Sequence, residues 1–326
     1  MVMFSPSLLV VIVNYRTPQL AIACLQSLVP EVQELSAVQV AVVDNHSEDG
    51  SLAAIREAIV QADWQDWVSI QASDRNGGFA YGNNQAIRPA LASPHPPDYV
   101  LLLNPDTIVR PGALTALVEF LEYHPQVGIV GSRLEHPDGT PQHSAFRFHT
   151  LWSELDQGLA LGLMTKVLSR WVIAPPISAT ACPTDWVSGA SLMVRRSVFE
   201  AIGLLDEDYF MYFEEVDFCR RAQQAGWSCW YVPQSRVVHL VGQSSGVKDP
   251  QRPTKRLPQY WFDSRQRFFL KHYGWHYTAL TDALWLLGFS LWRVRRVLQR
   301  KPDLDPPQLL SDFLMNSVFR RRKRLT

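Results

Sequence analysis

Two short stretches of this sequence carry residues whose types and spacing suit metal binding and proton transfer. The first is Asn104-Pro105-Asp106, which follows the apolar residues 100–103 in the pattern of a strand buried on both faces. Pro105 cannot donate a ladder hydrogen bond, so the strand ends there and Asp106 lies just beyond its carboxyl end. A carboxylate and an amide at that place suit a divalent cation that carries a diphosphate, since hard cations prefer oxygen ligands. Taken alone, the tripeptide more often starts the next helix, here near residue 111.

The second stretch places three carboxylates, Glu214, Glu215 and Asp217, directly after the apolar and aromatic residues 210–213. This apolar approach should desolvate at least one of the carboxylates and raise its pKa, which suits a general base. Acidic residues at a helix start are also favoured by the helix dipole. On the residues alone, catalysis and helix stabilisation are both open.

Further polar side chains follow other predicted strands. His239 ends the last apolar run; a lone histidine there is usually a core residue, but the small residues after it favour a metal or phosphate ligand. Asp44 either accepts a hydrogen bond from the N–H of a pyrimidine base or simply starts a helix. Asn76 and Gly77 allow the backbone to approach a phosphate or ribose, although Gly-Gly also makes an ordinary turn. Arg75 is either a counter-charge for a diphosphate or a surface arginine.

Strand-like and helix-like segments alternate through the first half of the chain at the spacing of βαβ units. This predicts an α/β fold with a mainly parallel sheet flanked by helices, in which the polar positions follow the carboxyl ends of strands. Residues 143–183 show no clear pattern and are interpreted as a variable insertion over the site. We predict a domain of residues 1–250, with a nucleotide-binding half (1–130) and an acceptor half (131–250), and a helical, basic and aromatic extension of residues 251–326.

The composition argues against several classes of protein. The 31 basic and 31 acidic residues give a net charge of zero, which argues against a nucleic-acid-binding protein. The four cysteines show neither a Cys-x-x-Cys pair nor a zinc spacing, so buried thiols in a reducing compartment are the simpler interpretation. The apolar run at 8–13 lacks the basic region and cleavage site of a signal peptide and predicts a buried strand. We therefore expect the catalytic part to be cytoplasmic.

The C-terminal extension differs in composition from the rest of the chain. Residues 260–274 are aromatic and basic and predict one helix that ends at Gly274. Residues 277–297 are apolar, are interrupted by Asp282 and end among arginines, with more basic residues at 320–324. This pattern favours a helix that lies in the membrane interface, in peripheral contact with an anionic cytoplasmic leaflet. The alternative is a helix packed against the catalytic domain.

Taken in order, these motifs resemble the inverting glycosyltransferases of family 2, which have the GT-A nucleotide-diphospho-sugar fold, and among them the rhamnosyltransferase-like members. The matching pieces run in the family's order from residue 8 to about residue 245. They are Val11-Ile-Val-Asn-Tyr15, Val42-Val-Asp-Asn-His-Ser-Glu-Asp-Gly-Ser51, Asn76-Gly-Gly-Phe-Ala-Tyr-Gly-Asn-Asn84, Leu102-Leu-Asn-Pro-Asp106, Trp186-Val-Ser-Gly-Ala190, Phe213-Glu-Glu-Val-Asp-Phe-Cys-Arg220 and His239.

The resemblance implies a role for each matching position. Asp44 would bind the nucleotide base, and Asp106 would be the metal carboxylate of the family's Asp-x-Asp motif, in which Asn104 replaces the first acid. Glu215 matches the catalytic base, where the family often has Asp, and Glu214 matches its neighbour facing the acceptor. The other positions implied are Asp217 in the catalytic group, His239 as a metal or diphosphate ligand, and Asn14, Arg75, Asn76, Gly77, Trp186 and Gly189 around the donor.

The resemblance also implies an activity. The chain would be an inverting hexosyltransferase that uses Mg²⁺ or Mn²⁺ and a dTDP- or UDP-sugar, with rhamnose as the first choice of sugar. The acceptor would be a saccharide or lipid-linked saccharide in cell-surface polysaccharide synthesis. One base and one metal suffice for inversion, whereas hydrolases need two carboxylates that flank the bond.

Three alternatives remain open from the sequence. The chain could be a non-catalytic nucleotide-sugar-binding protein on the same fold, or a transferase for another donor such as galactofuranose or an N-acetylhexosamine. It could also be a nucleotidyltransferase, but that class usually has a Gly-rich, basic first loop, and residues 14–18 do not form one.

Overall fold

The computed structural model describes residues 6–240 and 255–320 and groups them into two compact units. Within these residues, the first unit comprises 6–146, 176–210 and 214–240, and the second comprises 147–175, 211–213 and 255–320. Residues 147–175 thus group with the C-terminal helices, whereas the sequence predicted a boundary near residue 250. The prediction used the change in composition near residue 250. Composition does not show that residues 147–175 pack with helices that come about a hundred residues later in the chain. The small residues that follow His239, at 242–246, and the basic residues 321–324 lie outside the described residues.

The strands of the described residues all belong to the first unit. They are β1 (Leu8–Asn14), β2 (Val38–Asp44), β3 (Val68–Ala72), β4 (Tyr99–Leu103), β5 (Thr107–Val109), β6 (Val127–Glu135), β7 (Ala145–Phe146), β8 (Cys182–Thr184), β9 (Trp186–Val187), β10 (Ser191–Arg195) and β11 (Ser228–His239).

The helices are divided between the two units. They are α1 (Pro18–Glu34), α2 (Ser51–Gln61), α3 (Gly78–Leu91), α4 (Ala113–Tyr123), α5 (Leu151–Leu159), α6 (Gly162–Val167), α7 (Arg196–Ile202), α8 (Glu214–Gln224), α9 (Gln259–Leu298) and α10 (Leu309–Asn316), with a short 3-10 helix at Ser169–Trp171. Helices α5, α6, α9 and α10 belong to the second unit.

The large sheet has the strand order β3-β2-β1-β4-β10-β6-β11-β5, with β8 paired to β11. Strands β1 to β4 run parallel, β6 and β11 are parallel to each other, and β10 and β5 are antiparallel to their neighbours. Strands β7 and β9 form a separate pair. The predicted α/β fold with a mainly parallel sheet flanked by helices is therefore confirmed. The sequence motif at 186–190 lies at β9 and directly before β10, two strands that belong to different sheets.

Strand β4 lies at the centre of this sheet and is buried along its whole length, as its continuous apolar run predicts. Its last residue, Leu103, lies opposite Ile12 of β1 and Ser191 of β10. The carboxyl ends of β1 and β4 and the start of β10 therefore meet at one edge of the sheet. That edge is where the predicted site residues follow their strands.

In the second unit, α9 packs against α5 and α10. Gly274 interrupts α9 with non-helical backbone angles (φ 77°, ψ 175°), so the predicted helix end is confirmed and a second helical segment follows it directly. Phe262 before the interruption and Trp285 and Phe289 after it form a small core with Phe313 of α10. Apolar contact thus holds the two segments of α9 and α10 together.

The acidic residue that interrupts the apolar run of α9 is paired inside the second unit. Asp282 accepts a hydrogen bond from Arg265 Nη1 at 2.7 Å, and Glu154 of α5 accepts from Nε and Nη2 of the same guanidinium at 2.9 and 2.7 Å. All three side chains are buried. Arg265 therefore connects α5 with both segments of α9. In residues 6–240 and 255–320 no helix has the length and apolar character that crossing a bilayer requires.

Candidate active site

Asp106 and His239 form a polar pair just beyond the end of β4. Asp106 lies in the turn between β4 and β5 and is 1% exposed. Strand β11 pairs with β5 so that His239 lies opposite Thr107, and the N–H of Leu240 donates to the Asp106 carbonyl at 2.9 Å. The Nε2 atom of His239 is 3.6 Å from Oδ1 of Asp106. The fold thus brings the two predicted metal ligands together.

The chemistry of this pair fits a Mg²⁺ or Mn²⁺ ion that also binds a diphosphate. Mg²⁺ in phosphate-transfer sites is usually held by one or two protein ligands, with phosphate oxygens and water in the other positions. Within the described residues, no group of three or more His, Cys, Asp or Glu side chains is arranged to hold a metal. Two protein ligands suit a cation that also takes oxygens of a diphosphate as ligands.

The turn that carries Asp106 packs against a buried thiol, that of Cys24. The hydroxyl of Thr107 donates to the Asn104 carbonyl at 2.7 Å and closes the turn. The sulfur of Cys24, in α1, lies 3.7 Å from that carbonyl and 3.4 Å from the Thr107 hydroxyl. Burial raises the pKa of the Cys24 thiol to about 12. This cysteine is therefore an uncharged packing group, in agreement with the prediction of buried thiols.

Glu214 and Glu215 begin α8 as a carboxylate pair with no cationic partner among their hydrogen bonds in the described residues. Glu214 is 4% exposed, and Glu215 keeps partial exposure. Burial raises the pKa of both carboxyls, and the charge of Glu215 raises the pKa of Glu214 further. One oxygen of each, Oε2, has no hydrogen-bond partner among the described residues. A carboxylate that has a raised pKa and an oxygen without a hydrogen-bond partner in the described part of the chain has the properties of a general base, and Glu215 is the less buried of the two.

A short path of backbone contacts joins Glu215 to the turn of Asp106. The N–H of Gly189 donates to the Glu215 carboxylate, which partly offsets the effect of burial on its pKa. The carbonyl of the following residue, Ala190, accepts a hydrogen bond from the N–H of Asn104 at 3.1 Å. Gly189, predicted to lie near the donor, therefore ties the candidate base to the candidate metal turn.

Asp217, predicted as a third catalytic carboxylate, supports the fold of α8 instead. Its side chain is fully buried and accepts hydrogen bonds from Arg221 Nε at 2.8 Å and from the Tyr209 hydroxyl at 3.4 Å. The same guanidinium donates to the carbonyls of Ile202 and Leu204 at 2.7 and 2.9 Å. A carboxylate enclosed in this way is not accessible to an acceptor hydroxyl. The prediction grouped it with the glutamates because the three acids are adjacent in sequence.

The loop after β2 is held together by its own polar groups. Oδ1 of Asp44 accepts from Asn14 Nδ2 at 2.8 Å and from the Ser47 hydroxyl at 2.6 Å, and Oδ2 accepts from the Ser47 N–H at 3.1 Å. Oδ1 of Asn14 accepts from the hydroxyl and the N–H of Thr17, the residue before α1, whose side chain makes no capping hydrogen bond to that helix. Asp44 and Asn14 are thus in direct contact, and a base N–H would share the oxygens of Asp44 with these donors.

The loop between β3 and α3 is shaped by close backbone contacts. Oδ1 of Asn76 accepts from Asn45 Nδ2 at 3.0 Å and from the Gly78 N–H at 3.1 Å. Gly78 has a φ of 87°, and a Cβ built there would lie 1.8 Å from the carbonyl oxygen of Phe210. At Gly77 a Cβ would overlap a tyrosine ring of α3. The two glycines are therefore required for the path of this loop, whatever they bind.

Arg75 and Trp186 both lie against aromatic rings. The Arg75 guanidinium is 4.5 Å from the centre of the Tyr81 ring. Trp186 stacks on Phe146 in the two-stranded sheet, with ring centres 4.3 Å apart. Their contacts with a donor remain predictions from the resemblance, as does the direct contact of Asn104 with a metal.

Asn45 is a residue of this edge that the sequence reasoning missed. It is 3% exposed, and its Nδ2 donates to Gly78 O at 3.1 Å as well as to Asn76. It thereby joins the loop after β2 to the loop after β3. Its position directly after Asp44 was the signal in the sequence, but an isolated buried asparagine has no periodicity that would distinguish it from a surface residue.

Comparison with known proteins finds relatives among glycosyltransferases. The sequence profile described as "Glycosyltransferase like family 2" matches residues 6–253. The N-acetylglucosaminyl-diphospho-decaprenol L-rhamnosyltransferase of Mycobacterium tuberculosis is 31% identical over 232 residues, which cover 65% of this chain and 69% of that protein. The rhamnosyltransferase WbbL of Escherichia coli is 26% identical over 203 residues, 61% of this chain and 67% of that protein. A low-salt glycan biosynthesis hexosyltransferase of Haloferax volcanii is 29% identical over 241 residues, 71% of this chain and 66% of that protein.

Solved structures agree with the predicted fold. The mannosyltransferase of Pyrobaculum calidifontis in complex with GDP-Man and Mn²⁺ aligns with a TM-score of 0.56, covering 91% of this chain and 76% of that one. The structure of GalNAc-T7 with UDP, GalNAc and Mn²⁺ aligns with a TM-score of 0.58, covering 92% of this chain and 59% of that one. Both are 15% identical to this chain, so the likeness concerns the fold.

Proposed function

The chain belongs to the glycosyltransferase-like family 2, and we propose that it is an inverting, metal-dependent hexosyltransferase. It moves a sugar from a dTDP- or UDP-sugar to a saccharide or lipid-linked saccharide acceptor. The observation that carries this proposal is the path of contacts from Glu215 through Gly189 and Ala190 to the turn of Asp106. It supports the proposal because Glu215, a carboxylate of raised pKa, and the pair Asp106 and His239, which we propose to bind the cation, lie at the same edge of one sheet.

In the proposed reaction, Glu215 takes the proton of an acceptor hydroxyl while that oxygen attacks the anomeric carbon of the donor. The new carbon–oxygen bond forms on the face opposite the diphosphate. The bond to the diphosphate oxygen breaks, and its electron pair leaves with the diphosphate. A single displacement inverts the anomeric configuration and needs one base. Burial, together with the charge of Glu215, raises the pKa of Glu214 well above its ordinary value, and in its protonated form Glu214 would offer the acceptor a hydrogen-bond donor.

Asp106 and His239 would hold the Mg²⁺ or Mn²⁺, with the diphosphate of the donor as a further ligand. Bound there, the cation supplies Lewis-acid stabilisation of the charge that develops on the leaving diphosphate. The relatives solved with Mn²⁺ and either GDP-Man or UDP support such a requirement for this chain. Asn104 would contribute a neutral oxygen or a contact through water.

Rhamnose is the sugar that we propose first, because the relatives from Mycobacterium tuberculosis and Escherichia coli are rhamnosyltransferases. The name of the mycobacterial relative includes a diphospho-decaprenol lipid, which supports a lipid-linked acceptor and a role in cell-surface polysaccharide synthesis here. The archaeal relative is named only as a hexosyltransferase, so other donor sugars remain the alternative.

A lipid-linked acceptor would bring the chain to a membrane, and α9 offers a surface for peripheral contact with the cytoplasmic face. One side of its second segment exposes apolar side chains that recur every three to seven residues, and these are 50–78% exposed. They are Leu280, Leu287, Leu291, Val294 and Leu298. Basic residues lie beside this face at 293, 300 and 301. An apolar stripe with neighbouring arginines and lysine suits the interface of an anionic leaflet.

Nucleotide binding is the first test of the donor site. We expect dTDP or UDP, but not GDP, to stabilise the protein in a thermal-shift or calorimetric assay, and only when Mn²⁺ is present. Asp106→Asn should remove the Mn²⁺-dependent part. A folded protein that binds no nucleotide would contradict the proposal. Glu215→Gln should bind the nucleotide and fail to transfer sugar, whereas a non-catalytic binding protein would keep its function with this change.

Membrane contact is tested separately, by flotation with vesicles. The chain should float with vesicles rich in phosphatidylglycerol and remain unbound with phosphatidylcholine alone. Leu287→Ser combined with Leu291→Ser should reduce flotation. Val60→Ser on α2, at a side chain 57% exposed like that of Leu287, is the control that should leave flotation unchanged. Equal flotation of all variants would contradict attachment through α9.

A further inference from the structure

Two residues directly before the glutamate pair have an unusual backbone. Tyr212 and Phe213 have φ angles of 69° and 67°, in the left-handed region that bulky L-residues rarely adopt. Two consecutive aromatic residues persist in such a conformation only when surrounding contacts determine it. The residue that follows is Glu214, the first of α8. The strained segment therefore leads directly into the candidate base.

The contacts that determine this conformation come from the first segment of α9. The hydroxyl of Ser264 donates to the Met211 carbonyl at 2.9 Å. The ring of Tyr212 stacks on that of Tyr260, with centres 5.9 Å apart. The ring of Phe213 lies 5.5 Å from that of Phe268.

The three residues of α9 are spaced four apart, so they lie along one face of the helix. Phe213 is also 4.8 Å from the imidazole of His149, which precedes α5. Phe268 is fully buried, and Ser264 is 3% exposed. Each residue of 211–213 is thus held by a different group of the second unit.

The residue before the strained segment is fixed independently. The carbonyl of Phe210 accepts the N–H of Phe79 at 2.9 Å, and Gly78 packs directly against it. Only Met211, Tyr212 and Phe213 therefore separate this anchored carbonyl from Glu214. With so short a connection, the φ angles of 212 and 213 set the direction in which the chain enters α8, whose second residue is Glu215.

We infer that the stripe of Tyr260, Ser264 and Phe268 on α9 positions the catalytic base, by holding residues 211–213 in the one backbone conformation that aims Glu215 at the acceptor. These three are positioning residues: they touch the strained segment and act on the reaction through it. This inference deepens the proposed function and rests on it for the role of Glu215. It gives the C-terminal helix a part in turnover that is separate from any contact with a membrane.

The experiment compares two equal truncations on the same helix of the full chain. Phe268→Leu removes the ring that contacts Phe213, and Phe262→Leu removes an equally buried ring, 4% exposed, that packs in the core with Trp285 and Phe313. Ser264→Ala removes the hydrogen bond to Met211 with little loss of volume. For each variant we would measure the melting temperature, nucleotide affinity with Mn²⁺, kcat and KM, and hydrogen–deuterium exchange of peptides covering 209–224.

Phe268→Leu and Ser264→Ala should increase exchange at the start of α8 and lower kcat roughly tenfold to a hundredfold, the scale of a misplaced catalytic group. Nucleotide affinity should change less than about twofold. Phe262→Leu should lower the melting temperature as much as Phe268→Leu while keeping kcat and the exchange of α8. If Phe262→Leu and Phe268→Leu behave alike in exchange and kcat, the inference is wrong. If exchange responds as expected but the unaltered chain transfers no sugar, the proposed function fails and the positioning contact stands.

Discussion

Glu154 in the second unit and Glu214 in the first are almost equally buried, at 2% and 4% exposure, yet their pKa values move in opposite directions. Arg265 and His149 neighbour Glu154 and hold its pKa at about 2, although burial works against them. Glu214 lies beside Glu215, and burial together with that like charge raises its pKa. Burial acts in the same direction on both acids, so the difference between their pKa values comes from their neighbours. The basic neighbours of Glu154 make it part of a buried ion-pair network that stabilises the fold. The acidic neighbour of Glu214 makes a carboxylate pair suited to proton transfer.

The largest effect should come from neutralising the reactive group. Glu215→Gln keeps the shape of the side chain and removes the base, so kcat should fall by roughly a hundredfold to ten-thousandfold. The melting temperature should stay the same or rise, because a buried like-charge interaction with Glu214 disappears. Activity assays and thermal melts on the same sample would measure this.

Two variants serve as controls for that prediction. Glu215→Asp keeps a carboxylate and should retain more activity than Glu215→Gln. Asp217→Asn, at the acid that pairs with Arg221, should cost stability more than activity. A loss of kcat for Asp217→Asn equal to that for Glu215→Gln would return Asp217 to the catalytic group.

Breaking the buried ion-pair network of Arg265 should have the next largest effect. Arg265→Met leaves Glu154 and Asp282 buried without their cation, which should destabilise the second unit by about 3–5 kcal/mol. Arg256→Met is the matched control, because Arg256 pairs with Asp312 but its side chain is 60% exposed, and its loss should cost far less. Denaturant unfolding of both variants would show the difference, and equal losses would contradict the comparison.

The two groups should also give opposite pH dependences. Since the pKa of Glu154 is lowered from 4.5 to about 2, its contribution is present above pH 4.5 and is lost as the pH falls through 2. The pKa of Glu214 is raised, so its contribution is present below 4.5 and is lost as the pH rises through the folded-state pKa. Glu214→Gln should therefore increase the melting temperature more at pH 8 than at pH 5. Thermal melts of both proteins between pH 5 and pH 8 would test this. A larger gain in melting temperature at pH 5 than at pH 8 would contradict the raised pKa of Glu214.

The smallest effect should come from an acid that is exposed. Glu200 pairs with Arg196 across one turn of α7 at 3.4 Å, with 64% of its side chain exposed. Glu200→Gln should change the free energy of unfolding by less than about 0.5 kcal/mol, and added salt should reduce even that. A larger change in denaturant unfolding would mean that exposure is not what separates this pair from Arg265.

The sequence was sufficient to predict the parallel half of the sheet and the residues at its edge. Apolar runs, prolines and polar loops mark β1 to β4 locally, and the order of motifs matched the family. It was not sufficient to separate Asp217 from the two glutamates, because three adjacent acids look alike until Arg221 is placed beside one of them. The packing of residues 147–175 and 211–213 with α9 was also hidden, since those contacts join segments far apart in the chain. The strained angles of Tyr212 and Phe213 depend on that packing and have no local signal.

The thiol beneath the metal turn has a practical consequence. Cys24 is buried against Asn104 and Thr107, so an alkylating reagent reaches its sulfur when that turn opens or the core around it loosens. The rate at which Cys24 is alkylated therefore reports how often the loop that holds Asp106, or the core around it, opens. Mass spectrometry could measure this rate in a chain in which Cys182, the one partly exposed cysteine, is replaced by serine. A donor nucleotide that closes the loop would lower the alkylation rate of Cys24. The affinity of the nucleotide could then be determined without any knowledge of the sugar or the acceptor.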